Sequence, residues 1–130
     1  MIRFDVNCVM GRWPEGGATL DGAEQTLAAM DRLGIGKALV RHTAAAQYDV
    51  TYGNDLLTKQ IAGQERLVPC WTALPLVTGE MGPLPTWLAS LSEHEVRAVC
   101  LYPKRHDYPP KEWQCHALLG ALAERRYLLL

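Results

Sequence analysis

The side chains best suited to chemistry in this sequence lie in or just after segments that alternate like β-strands. Asp5 and Asn7 belong to the first such segment, and His42 follows the second. After the fourth segment, Lys104 and His106 bring a cation and an imidazole together, a pair that suits an anionic substrate. We therefore predict that these five residues help to bind a substrate.

Each candidate also has a structural interpretation. Asp5 and Asn7 could position one another in a pocket, or they could satisfy backbone groups near the strand end. His42 could act as a base or ligand, or it could be hydrogen-bonded to the backbone. In the first loop, Arg12 could hold a carboxylate beside Trp13, whose indole could equally pack over the rim. Arg12 therefore joins the predicted substrate-binding residues.

Strand-like and helix-like segments alternate along the chain, and they must position these side chains. Strand patterns cover residues 2–7, 37–41, 67–74, 96–102 and 127–130. In the first strand, strict alternation places Asp5 and Asn7 on one face. Lys104 and His106 follow the fourth strand, and His42 lies at the corresponding end of the second strand. The strand pattern therefore predicts that the candidates gather at one end of a sheet.

Helix patterns separate the strands. We predict that Asp21 caps the first helix and Gly34 ends it, and that Asn54 caps the second, over residues 55–62. A short third helix is predicted over residues 85–91. Pro110 opens a fourth helix, whose apolar stripe is predicted to include Trp113.

Alternating strands and helices favour parallel pairing through right-handed crossovers. Two α/β architectures fit this order. One is the N-terminal part, with about five strands and four helices, of a TIM-type (β/α)8 barrel, and the other is a five-stranded doubly wound parallel sheet. We expect residues 1–130 to form a single domain. The incomplete barrel is favoured, because a closed one needs eight strands in about 250 residues.

Composition narrows the classes of partner. The net charge is −1, with 13 basic and 14 acidic residues interspersed, so no basic stripe marks a nucleic-acid site. No apolar run is long enough to span a bilayer and no secretory signal is evident, so we expect a cytoplasmic protein without a membrane partner. Four cysteines without a C-x-x-C pair argue against a disulfide framework and a structural zinc site.

Several segments together resemble the amidohydrolase-related barrels, whose members open with a D-x-H-x-H strand and a G-x-W-P-like turn. The matching segments are Asp5-Val6-Asn7-Cys8-Val9-Met10-Gly11-Arg12-Trp13-Pro14, Met30-Asp31-Arg32-Leu33-Gly34-Ile35, Gly53-Asn54, Arg66-Leu67-Val68-Pro69 and Val96-Arg97-Ala98-Val99-Cys100-Leu101-Tyr102-Pro103. The resemblance covers nearly the whole chain and implies a metal-dependent hydrolase fold.

The chain differs from that family at the residues that would bind a metal. Its members usually bind a divalent metal such as zinc through the two histidines of the first strand, but Asn7 and Val9 stand at those positions here. A side-chain amide is a weak ligand for such an ion and a valine is none. We therefore expect no metal site and no cofactor in this segment.

These observations lead to two functional hypotheses. The first is an amidohydrolase-like hydrolase, or a related decarboxylase, that acts on a small carboxylated or cyclic substrate in the barrel mouth. As an N-terminal portion, the segment is expected to be inactive alone and to self-associate through unpaired sheet edges. The alternative is a noncatalytic barrel-derived protein that serves ligand binding or assembly.

Overall fold

The computed structural model describes residues 2–130, with the backbone alone described at position 112. Five strands alternate with five helices and one 3-10 turn at Leu76–Thr78. In chain order the elements are β1 (Arg3–Met10), α1 (Ala23–Leu33), β2 (Ile35–His42), α2 (Thr43–Gln47), α3 (Val50–Gln60), β3 (Leu67–Thr72), α4 (Leu84–Glu93), β4 (Ala98–Cys100), α5 (Glu112–Glu124) and β5 (Leu128–Leu129).

The strands form one parallel sheet whose spatial order follows the chain, and the sheet curls as half a barrel. Helices α1, α3, α4 and α5 all pack against the same face of the sheet. A doubly wound sheet instead reverses its strand order and covers both faces with helices. The predicted α/β class and parallel pairing are therefore confirmed, and the doubly wound alternative is wrong.

Two apolar clusters lie on opposite faces of the sheet. The larger one packs the sheet against the helices and includes Met10, Val40, Leu57, Leu91 and Leu118. The smaller one lies on the concave face and contains Leu39, Cys70, Ala98 and Cys100, with Val68 and Tyr102 against it. The concave face thus has strand side chains but no covering layer of helices.

The first strand departs from the predicted alternation. Between Asp5 and Cys8, three residue steps of β1 correspond to two of β2, as in a β-bulge. Cys8 and Met10 face the helices and are buried. Strict alternation is therefore wrong for this strand, and Asp5 and Asn7 do not keep a common phase along it.

Both predicted N-caps are wrong. Asp21 pairs with Arg12 instead, and α1 starts after Gly22 without a side-chain cap. The second helix starts earlier, because Asp49 accepts the backbone N–H of Tyr52 and caps α3. The prediction at Gly34 is confirmed, since its left-handed φ of 67° ends α1.

The interior of α3 holds two residues that tie it to its surroundings. A Cβ on Gly53 would overlap the backbone of Ala45, so only glycine permits this approach of α3 to α2. Asn54 is buried, and its side chain donates to the carbonyl oxygen of Thr72 and accepts the Thr72 N–H, each at 2.9 Å. These contacts fix α3 against the end of β3.

Other surface features also correct the sequence expectations. Trp113 is 72% exposed, so it does not belong to the apolar stripe of α5, which buries Cys115, Leu118 and Leu122. The outer strands β1 and β5 leave Phe4 and Leu128 about half exposed, and self-association through these edges stays a prediction. Across residues 2–130, none of the helices has the length and apolar character needed to cross a bilayer.

Candidate functional site

One guanidinium lies on the concave face near the carboxyl edge of the sheet. Arg41, the penultimate residue of β2, donates from Nη2 to Asn7 Oδ1 at 2.6 Å. Its Nη1 lies 3.8 Å from Cys100 Sγ, and its Cζ lies 5.6 Å from the centre of the Tyr102 ring. Among the described side chains, no carboxylate is within ion-pair distance of Arg41. Its positive charge is therefore not locally neutralised.

Three hydrogen-bond donors gather on this face from neighbouring strands. They are Arg41 Nε, Thr72 Oγ1 and Tyr102 Oη, and each is shielded from solvent; in the described part of the chain the first two have no partner, and Tyr102 Oη has none beyond the weakly accepting thiol of Cys100. Thr72 is completely buried, and alternation with Cys70 places its side chain on the concave face. Buried polar atoms are normally hydrogen-bonded, so this concentration of unpaired donors marks a site for acceptors.

The thiols of this face are not activated. Burial raises the pKa of Cys70 to about 12, and burial also raises the pKa of Cys100 although Arg41 opposes the change. The pKa of Tyr102 is likewise raised, mainly by burial. These groups stay protonated near neutral pH, so they offer hydrogen bonds rather than thiolate or phenolate nucleophiles.

The two candidates of β1 have different roles. Asp5 Oδ1 accepts the backbone N–H of Asn7 at 2.8 Å, which agrees with the structural interpretation of Asp5. The side chain of Asn7 reaches the guanidinium of Arg41 instead, and so it lies within the concave site. Asn7 is thus brought into the site, whereas Asp5 supports the backbone beside it.

Arg12 lies outside the concave site. Its guanidinium is largely exposed and forms an ion pair with Asp21 at 3.2 Å, and this hydrogen bond raises the pKa of Arg12. Its neighbour Trp13 packs over the rim, with Arg105 at 4.4 Å above the indole and the Tyr102 ring at 6.3 Å. The packing interpretation of Trp13 therefore agrees with the structure.

His42 supports the chain at the start of α2. The ring is buried, and its Nδ1 accepts the backbone N–H of Ala44 at 3.0 Å. Burial lowers the pKa of His42 below its usual 6.5, which favours the neutral ring that this hydrogen bond requires. The geometry agrees with the backbone-bonded interpretation of His42.

The loop after β4 lies at the same end of the sheet as Asn7, as the parallel order predicts. Lys104 is exposed and lines a cavity of about 660 Å³ together with Trp13 and Tyr102. His106 turns the other way, since its Nε2 lies 2.6 Å from the carbonyl oxygen of Ala46 in α2. Lys104 thus borders the concave site, and His106 belongs to a neighbouring cleft.

The residues at the metal position of the resembling family do not fit a metal ion. Asn7 Oδ1 is already bonded to the guanidinium of Arg41, and that positive charge would repel a divalent cation. Val9 offers no donor atom. Within residues 2–130, no group of three or more His, Cys, Asp or Glu side chains is arranged to hold a metal.

Sequence reasoning missed the central residue of the site. The signal for Arg41 is a charged residue near the end of an otherwise apolar strand, because charged residues are rarely buried unless they are paired. The alternation of Lys37, Leu39 and Arg41 would have placed all three on one face. The partners of Arg41 on β1 and β4 depend on strand register, which the sequence does not specify.

The chain was also compared with known proteins. No protein-family model, curated protein or solved structure matches it.

Proposed function

We propose that the concave face binds the carboxylate of a small carboxylated or cyclic substrate, within a TIM-type barrel that acts as an amidohydrolase-like hydrolase or a related decarboxylase. The observation that carries this proposal is the partly buried guanidinium of Arg41, which has no carboxylate partner among the described side chains. An arginine fork is well matched to the two oxygens of a carboxylate.

The surroundings of Arg41 favour a cyclic ligand. The ring of Tyr102 lies beside the guanidinium and offers an aromatic surface, while Lys104 adds a second positive charge at the cavity above. The hydroxyls of Thr72 and Tyr102 are covered in the free protein, so a ligand would reach them by displacing the side chains over them. Such a ligand would bring acceptors to all three unpaired donors.

For catalysis, Arg41 supplies electrostatic stabilisation. A fixed guanidinium favours a reaction in which negative charge develops on a bound oxygen, as it does in acyl transfer, and most strongly where the bound substrate excludes water. This role needs no metal, in keeping with the poor fit of Asn7 and Val9 to one.

One observation favours the noncatalytic alternative. Both candidate imidazoles are engaged with the backbone, His42 through Nδ1 and His106 through Nε2. A general base must reach the proton that it abstracts, and neither ring is bonded to a group of the concave site. A protein that binds carboxylates without turnover is therefore the second candidate function.

Benzoate and its neutral analogue benzamide test the proposal. We expect saturable binding of benzoate by isothermal titration calorimetry and little binding of benzamide, because only benzoate pairs with Arg41. Arg41→Met should weaken benzoate binding by about 10- to 100-fold, the usual value of a hydrogen bond to a charged group.

Arg12→Met is the matched control, because it removes a guanidinium that is already paired with Asp21 outside the site. It should leave benzoate affinity within about twofold. Equal binding of benzoate and benzamide, or equal effects of the two variants, would contradict the carboxylate site. If benzoate binds as expected, turnover of carboxylated cyclic amides supports the enzyme, and its absence supports the binding protein.

A further inference from the structure

A second cleft, of about 650 Å³, lies on the helix side of the rim. Its walls come from α2, the start of α3, the segment after β3, the loop after β4 and the first turn of α5. Neither Arg41 nor Tyr102 lines it. The cleft adjoins the concave site, because the rings of His106 and Tyr102 meet edge to face with their centres 5.8 Å apart, so variants of both sites are needed to distinguish them.

The wall formed by the loop after β4 presents a histidine with a defined tautomer. Nε2 of His106 lies 2.6 Å from the carbonyl oxygen of Ala46. A carbonyl oxygen only accepts, so Nε2 must carry the proton and donate it. In the neutral ring, Nδ1 is then an acceptor, and it is shielded from solvent without a partner in the described part of the chain.

Two further polar atoms share this situation. Tyr108 Oη and Gln114 Oε1 are shielded from solvent and lack partners among the described residues, and both residues line the same cleft. Burial raises the pKa of Tyr108 to about 12, so its oxygen stays a neutral hydroxyl with free lone pairs. Together with His106 Nδ1, these atoms place three unused acceptors around one cleft.

The loop that carries two of these acceptors is held in place. The backbone N–H of His106 donates to the carbonyl oxygen of Tyr102 at 2.9 Å, and that of Tyr108 donates to the carbonyl oxygen of Pro103 at 3.0 Å. The backbone of this loop is therefore fixed before a ligand arrives, which limits the part of the entropy cost of binding that comes from ordering the loop.

The charges around the cleft also select a ligand. Asp49, Glu80 and Asp107 line it with three carboxylates. The guanidinium of Arg105 is also present, but Glu15 pairs with it at 2.8 Å and neutralises it. Carboxylates therefore outnumber cations among the described residues that line the cleft, which favours a cationic ligand.

Apolar residues cover the remaining walls. Ala45, Ala46, Val50, Leu74 and Pro75 are buried side chains that line the cleft from α2, α3 and the segment after β3. They leave little surface for a ligand to cover, so a short hydrocarbon chain would lie against Val77, which lines the cleft and is 73% exposed.

We propose that this cleft binds a small organic cation, an alkylammonium, whose N–H groups donate to His106 Nδ1, Tyr108 Oη and Gln114 Oε1. The surrounding carboxylates balance its charge, and its alkyl chain packs against Val77. Because the three acceptors are covered in the free protein, the ammonium reaches them by displacing the side chains at the cleft wall.

Titration with n-butylammonium, butyrate and 1-butanol tests this inference. We expect saturable binding of n-butylammonium by calorimetry, with butyrate and butanol at least about tenfold weaker, because neither brings both a positive charge and several N–H donors. Tyr108→Phe and Gln114→Met should each weaken n-butylammonium binding by about fivefold, the value of one hydrogen bond. The ¹⁵N resonance of His106 Nδ1 should shift on binding.

Controls separate this cleft from the concave site and from general effects on folding. Tyr48→Phe removes a hydroxyl from the exposed rim of the same cleft and should leave the affinity within about twofold, as should Arg41→Met. Tyr108→Phe should not lower the free energy of unfolding, since the hydroxyl has no partner to lose.

Three results would overturn the inference. They are equal binding of the three probes, unchanged n-butylammonium affinity in the Tyr108→Phe Gln114→Met double variant, and a loss of affinity in Arg41→Met as large as in the cleft variants. A Tyr108→Phe protein that is less stable but binds n-butylammonium normally would show that this hydroxyl is structural.

Discussion

Buried polar groups in the helix-side core differ from those on the concave face in whether they are hydrogen-bonded. In the core between the sheet and helices α1 and α3, Asn54 and Thr26 are paired: Asn54 bonds both backbone groups of Thr72, and Thr26 Oγ1 donates to the carbonyl oxygen of Gly22 at 2.8 Å. On the concave side, Arg41 Nε and Thr72 Oγ1 are covered but unpaired in the described chain. The paired groups of this core therefore contribute to stability, whereas the concave face holds unused hydrogen-bonding capacity, as the second cleft does.

Thr72 belongs to both faces. Its backbone is satisfied from the helix side by Asn54, whereas its hydroxyl lies unpaired on the concave side. An unpaired buried polar group costs about 1–3 kcal/mol, so a fold retains several of them together only where they serve another purpose. Substitutions of the paired core groups should thus change stability, and those of the unpaired groups on the concave face should change binding.

The largest effect is expected for Gly53→Ala. The new methyl group would overlap the backbone of Ala45, and backbone atoms cannot move aside as a flexible side chain can. We expect a loss of about 3 kcal/mol in the free energy of unfolding, measured by urea denaturation. Gly120→Ala, in open space on α5, should instead stabilise by about 0.5–1 kcal/mol. Similar results for the two variants would mean that α2 and α3 do not pack closely.

The next largest effect is expected for Asn54→Ala. Loss of the amide leaves the N–H and carbonyl oxygen of Thr72 without their partner in a buried place, which should cost about 2–4 kcal/mol. Gln47→Ala is the control, because its exposed amide donates to the carbonyl oxygen of Arg12 and should contribute less than about 1 kcal/mol. Benzoate affinity of the folded Asn54→Ala protein should change little. A loss as large as that of Arg41→Met would show that Asn54 also contributes to benzoate binding.

A smaller, pH-dependent effect is expected at His42 on the helix side. Its folded-state pKa is lowered, so the unfolded chain takes up a proton first as the pH falls. Its contribution is therefore complete above about pH 6.5 and is lost at lower pH, by about 1 kcal/mol if the cap at Ala44 breaks.

His42→Asn provides the comparison for this pH dependence, because asparagine can also accept the Ala44 N–H but does not titrate. Denaturation at pH 7.5 and pH 5 should show a smaller change in the variant than in the parent. If the parent and the variant lost the same free energy of unfolding between pH 7.5 and pH 5, the assignment to His42 would be contradicted.

The sequence predicted the features that depend on local periodicity. The α/β class, the parallel order and the stop at Gly34 follow from apolar spacing and from the preference of glycine for positive φ. The first strand was misjudged because a bulge shifts its register, and Asn54 was misjudged because a tertiary contact with Thr72 outweighed its preference for a cap.

The candidate site was predicted less well for a related reason. The sequence indicated that Asn7 and Lys104 would approach one end of the sheet, but it did not indicate that Arg41 joins β1 to β4. That contact depends on the register between three strands and on the curl of the sheet. Neither property can be obtained from alternation within one strand.

The smallest expected change in stability comes from Thr72→Val, and it tests the difference between the faces most directly. The substitution keeps the β-branched shape and leaves the backbone bonds to Asn54 intact, but removes a buried hydroxyl that has no partner. We expect the free energy of unfolding to stay constant or to rise by up to about 1 kcal/mol, because the cost of burying that hydroxyl disappears. Benzoate affinity should fall by about fivefold through loss of one donor.

Thr26→Val is the matched comparison, because Thr26 is as fully buried as Thr72 but its hydroxyl is bonded to Gly22. It should lose about 1 kcal/mol of stability and leave benzoate affinity unchanged. Denaturation and calorimetry on the two variants therefore give opposite expected patterns for the same chemical change. If Thr72→Val lost stability as Thr26→Val does while still binding benzoate normally, the Thr72 hydroxyl would be a structural group, and the donor site on the concave face would reduce to Arg41 and Tyr102.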